Sequence, residues 1–88
     1  MKNKYELDNL RNELYKNIRE GKISMQEASK IGRKILGLNQ PEFAKLVKVS
    51  QRALADFERG VSNPTVKTLN QIFAPYGIEI GLKIIRQK

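Results

Sequence analysis

Gln51 and Arg52 stand side by side directly after Ser50, and both side chains end in flat groups with paired hydrogen-bonding atoms. Such groups hold a flat partner by two bonds at once: Arg suits the two acceptors on the edge of guanine, and Gln suits adenine. That is recognition chemistry. The residues of bond-making chemistry are missing, since the 88-residue chain has no His and no Cys. The commonest general base, the commonest metal ligand and every thiolate site are thereby excluded. The 9 Asp and Glu are spread as helix caps and surface charges, which forms no nucleophile–base pair or metal cluster. Neither an enzyme nor a cofactor is expected.

The charge balance says what could be recognised. Lys and Arg number 17 against 9 Asp and Glu, a net charge of +8, and a basic domain of this size concentrates polyanions around itself. The excess is even, with 9 basic and 5 acidic groups in residues 1–37 and 8 and 4 in residues 38–88, so neither end reads as a charged tail. Acidic residues interrupt each helix that could lie on lipid, and no stretch approaches the ~20 apolar residues of a membrane span. The first 20 residues lack the apolar core of a signal peptide. A soluble, cytoplasmic, nucleoid-associated protein is the expectation, with no membrane partner.

These residues need elements to position them. Leu7, Leu10, Leu14 and Ile18 fall at helical spacing with Tyr15 beside them, which predicts an amphipathic helix over 5–19 ended by Gly21. Ser24 and Glu27 read as a capping box opening a helix over 25–36, and Gly37 stops it as a left-handed cap. Asn39 caps a helix over 40–47 with Pro41 in its first turn, and Ser50 caps another over 51–59, closed by Gly60. After the turn-rich stretch Val61-Ser62-Asn63-Pro64, Thr65 caps a last helix carrying Val66, Leu69, Ile72 and Phe73. Beyond Pro75 and Gly77 the period changes to two: Ile78, Ile80, Leu82 and Ile84 alternate with Glu79, Gly81, Lys83 and Ile85, which predicts a strand.

Two short helices joined as closely as 40–47 and 51–59 must cross steeply, so the residue at their crossing has to be small, and Ala44 sits there. Phe43, Val47, Val49, Leu54 and Phe57 would fill the angle. This is the geometry in which a second helix offers its N-terminal residues to base edges in the major groove. The string around it resembles the XRE family of helix-turn-helix proteins, the phage-repressor and Cro type. The resemblance lies in Gly37-Leu38-Asn39-Gln40, Phe43-Ala44, Val49-Ser50, Leu54, Phe57-Glu58-Arg59-Gly60, Asn63-Pro64-Thr65 and Leu69, and covers roughly residues 28–77. It implies an all-α, five-helix lambda-repressor-like fold, with an extra N-terminal helix in residues 1–22, the DNA-binding domain in 23–77 with its motif at 40–59, and a dimerisation strand and tail in 78–88.

The resemblance also implies roles. In that family a Gln at the start of the motif braces the DNA backbone, and an Arg seven residues earlier pairs with a Glu near the end of the recognition helix; Gln40, Arg33 and Glu58 hold those places. The ion pair of Arg33 and Glu58 is expected to be structural. Where the family usually has Gly at the turn this chain has Lys48, whose side chain costs on the order of 1 kcal/mol in a left-handed conformation but gains a route to a phosphate.

Gln51 and Arg52 are the expected base readers, with Ala55 able to touch a thymine methyl and Asp56 repelling phosphate unless it accepts from a cytosine amine. Gln40, Lys48, Ser50, Arg59, Asn63, Thr65 and Lys67 are expected at phosphates, being at helix starts or in loops beside the second helix.

A lone strand has unpaired backbone groups on both edges and needs a partner from outside, most simply its own copy. Ile78, Ile80, Leu82 and Ile84 are therefore expected at a homodimer interface, and a dimer reads a palindromic operator. A closing strand resembles the HipB-type antitoxins, which dimerise through it and repress their own toxin operon. The expected function is such an autoregulating repressor, with a HipA- or HipT-like kinase or another toxin as partner. The alternatives are an antitoxin that neutralises its toxin by contact, and a stand-alone phage-type regulator. The N-terminal helix is expected to pack on the domain or across the dimer, or else to dock a protein.

Overall fold

Each helix starts on a side-chain oxygen that accepts the backbone N–H three residues on, replacing a bond the first helical turn lacks. Asn3 takes Glu6 at 2.9 Å, Ser24 takes Glu27 at 3.1 Å, Asn39 takes Glu42 at 2.9 Å, Ser50 takes Ala53 at 3.1 Å and Thr65 takes Thr68 at 3.1 Å. In a computed structural model of the chain, which describes residues 3–82, these caps open α1 (Lys4–Arg19), α2 (Met25–Ile35), α3 (Gln40–Val47), α4 (Gln51–Glu58) and α5 (Val66–Phe73). A 3-10 turn, Ala74–Tyr76, follows α5. The box at Asn39 is complete, its own N–H donating to Glu42 Oε1 at 3.0 Å. At Ser24 only the hydroxyl half forms, and Glu27 serves instead as a first-turn negative charge at the positive end of the helix dipole.

The core is made where α3, α4 and α5 meet. Phe43, Ala44 and Val47 face Leu54 and Phe57 of α4 and Leu69, Ile72 and Phe73 of α5, all buried. Phe57 meets Phe73 edge-on with ring centres 6.5 Å apart, and Phe43 stacks on Tyr76 at 6.3 Å. Edge-on and offset pairings suit the negative faces and positive edges of the rings. α1 closes the far side against its own domain: Leu14 is buried, Leu7, Leu10 and Ile18 pack partly buried against the core, and Tyr15 Oη donates to the Tyr76 carbonyl at 2.8 Å. The apolar stripe of α1 is thus used within the chain.

One close approach escaped the periodicity argument. Gly32, in the middle of α2, lies under the Tyr76 ring, and a Cβ there would sit 2.5 Å from the ring's Cζ. Tyr76 is buried, its hydroxyl has no hydrogen-bond partner among the described residues, and burial together with the charge of Glu58 raises its pKa, so the phenol stays neutral. Gly32→Ala should therefore destabilise by about 1 to 3 kcal/mol despite Ala's better helix propensity. Thermal unfolding checks this, and a melting temperature equal to or above the parent's contradicts the contact.

The expected strand is not seen. Among the described residues no strand forms, and residues 78–82 have no regular secondary structure. Ile78 and Ile80 pack partly buried against the core, the Ile78 N–H donates to the Phe73 carbonyl at 3.3 Å, and the Ile80 N–H donates to Asn70 Oδ1 at 2.8 Å. The period-two alternation is real, but here it serves a segment lying on a helical surface, and a side-chain amide replaces one ladder bond. Leu82 is fully exposed. Ile84 lies outside the described residues.

Candidate nucleic-acid interface

The turn that sets α4 against α3 is held from three sides. Lys48 adopts φ 61° and ψ 40°, the one left-handed non-glycine among the described residues. This conformation lets the Val49 N–H return to the Ala44 carbonyl at 3.0 Å, capping α3. Gln71 of α5 then donates to the carbonyls of Val47 and Lys48 at 3.4 and 3.3 Å. Lys48→Gly should remove the side-chain penalty and stabilise the fold by about 1 kcal/mol, some 4 to 8 °C in a domain of this size. A lower melting temperature in the variant would count against strain at this turn.

Behind α4 its angle is fixed by a buried carboxylate. Glu58, 2% exposed, receives four bonds: Ser29 Oγ at 2.7 Å and Arg33 Nε at 3.3 Å on Oε2, Arg33 Nη2 at 3.0 Å and Gln40 Nε2 at 3.0 Å on Oε1. Arg33 Nη1 also donates to the Leu38 carbonyl at 3.4 Å. Burial pushes the Glu58 pKa up, yet the bonds from Arg33, Gln40 and Ser29 and the charge of Arg33 outweigh it and hold the group below its ordinary value. The ionised carboxylate ties α2, α3 and α4 together. Gln40, expected at a phosphate, is half-buried with its amide directed to Glu58, and Ser29 was not anticipated at all.

On the outer face α4 begins with Gln51 and Arg52, both exposed, the Arg52 side chain at 92%. Ala55, one turn on, is partly exposed. Ser50, Arg52, Asn63 and Thr65 line one open cleft, into which the N-terminal ends of α4 and α5 both face. The N-caps of two helices thus border it together with the Asp56 carboxylate, and the positive ends of helix dipoles favour an anion. The hydroxyl of Thr65 is engaged with Thr68 Oγ1 at 3.1 Å. Lys48 is exposed but lines a neighbouring cleft with Leu46, Gln71 and Pro75. Lys67 is exposed in the first turn of α5, and Arg59 just after α4 is exposed but paired with Asp56.

Among the described residues no group of His, Cys, Asp and Glu could hold a metal ion, and no helix is long and apolar enough to cross a membrane. A family profile described as Helix-turn-helix matches residues 30–83, more than half of the chain. The comparisons with curated proteins and with solved structures returned no match.

Proposed function

The chain belongs to the XRE-type helix-turn-helix family of DNA-binding regulators, and from that premise we propose that it is a sequence-specific repressor that reads its operator with Gln51 and Arg52. The observation that carries this reading is the exposure of both side chains in the first turn of α4, beside a cleft fed by two helix N-termini. Ser50, Asn63 and Thr65 grip the phosphates from that cleft, with Lys48, Arg59 and Lys67 around it and Ala55 against a thymine methyl. Gln40 contributes through Glu58 or with its remaining N–H.

The finer reading is a homodimer on a palindromic operator, serving as the autoregulating antitoxin of a toxin–antitoxin operon. Its support is the resemblance to HipB-type repressors and the exposure of Leu82, an apolar side chain left uncovered by the described residues. Selection from a randomised pool of DNA duplexes is the test. It should enrich a palindrome with half-sites about one helical turn apart, bound with an affinity that falls steeply as salt rises. Footprinting on the DNA upstream of the chain's own gene then tests autoregulation. An unenriched pool, or binding insensitive to salt, overturns the repressor.

A further inference from the structure

We propose that Asp56 is a positioning residue for DNA selectivity: its carboxylate divides between Arg52 and Arg59, aiming the first and weakening the indiscriminate phosphate grip of both. The inference rests on the repressor reading above. Asp56 Oδ1 accepts from Arg59 Nη2 at 2.6 Å, and Oδ2 lies 3.8 Å from Arg52 Nε. The Asp56 side chain is 28% exposed and lines the same cleft as Ser50, Arg52, Asn63 and Thr65.

Local stability gives this carboxylate little reason to be there. It stands in the last turn of α4, whose dipole disfavours an acid, and no basic residue occupies that turn. Its helical partner Arg52 precedes it by four residues, the weaker order for such a pair, and both arginines are well exposed. Raw affinity for DNA would be better served by a neutral residue, because a negative charge inside an anion-binding cleft repels phosphate.

What the charge provides is discrimination. The Arg59 bond is short and holds that guanidinium down along α4, whereas the longer Arg52 contact approaches through Nε and leaves both Nη groups for a bidentate acceptor. A matched base pair repays Arg52 with two directed bonds. A mismatched duplex offers phosphates alone, against which Asp56 competes.

The test compares the parent with Asp56→Asn, nearly the same shape without the charge, on two probes: the duplex enriched by the parent and a random-sequence duplex of equal length. The variant should bind the random duplex roughly fivefold more tightly, with a salt slope steeper by about one. The enriched duplex should not share the gain, so the ratio of the two affinities falls about fivefold or more. Asp56→Glu should restore part of that ratio, which a merely structural role does not predict. Equal changes on both duplexes overturn the inference. So does lost preference at one base pair with random binding unchanged, since that describes direct contact with a cytosine amine. A parent that prefers no duplex sinks the repressor itself, while a preference that Asp56→Asn leaves intact sinks the inference alone.

Discussion

Arg33→Met should lose about 3 to 5 kcal/mol of stability, because it strands a carboxylate that is 2% exposed without its only cationic partner among the described residues. Chains of 88 residues have roughly 4 to 13 kcal/mol in total, so the loss takes from about a quarter of the stability to all of it. Ser29 and Gln40 remain bonded to Glu58, but neutral donors do not replace the charge. The double variant Arg33→Met with Glu58→Leu should recover most of the loss, since removing both ions removes the desolvation burden along with the attraction. Urea denaturation of the parent, the two single variants and the double one measures the coupling. A cost below about 1 kcal/mol for Arg33→Met would mean that Glu58 is not held by that pair.

The two chains should also respond oppositely to acid. In the parent the folded-state pKa of Glu58 lies below its ordinary value of 4.5, so the folded state binds fewer protons than the unfolded one. That contribution is fully present above the unfolded value and is lost as pH falls from there through the folded value. In Arg33→Met the bonds from Gln40 and Ser29 still oppose burial, but without the bonds and charge of Arg33 burial should prevail and raise the carboxyl above its unfolded value. Protonation then relieves the folded state, and the gap between variant and parent should narrow from pH 7 toward pH 5.

The difference between what was legible and what was not follows the range of the interaction. Asn39, Ser50 and Thr65 act on a backbone N–H three residues away, and that local chemistry marks α3, α4 and α5 from composition alone. The family resemblance extended the reach to Arg33 and Glu58. Ser29 had no such signal: it joins Glu58 from 29 positions away, and a serine inside an amphipathic helix reads as surface until another helix lies across it. Gly32 likewise reads as a weak helical residue until Tyr76 arrives over it, 44 positions later. The tail was ambiguous for a different reason. Alternation of apolar residues reports that one face of an extended segment is covered, and it does not say by what; here the helical core covers Ile78 and Ile80, and Asn70 supplies a hydrogen bond.

Arg52→Ala should cost about 1 to 3 kcal/mol of discrimination at a single base pair of each half-site, five- to more than a hundredfold, with little change in folding. The side chain is 92% exposed and its one ion pair is long, so its removal leaves neither a cavity nor a buried charge. If Arg52 reads a base as proposed, the effect belongs to one position of the operator, because a bidentate guanidinium is committed to the edge of one base. Lys67→Ala is the contrasting case: losing a phosphate contact should weaken all duplexes alike and flatten the salt slope by about one. Quantitative binding of both variants to the enriched duplex and to its single-base-pair substitutions separates the two roles. If Arg52→Ala weakens all those duplexes by a common factor, Arg52 grips the backbone and the sequence is read elsewhere. If it changes none of them, α4 is not the element that enters the groove, and the exposed face of Gln51 and Arg52 belongs to a protein partner instead.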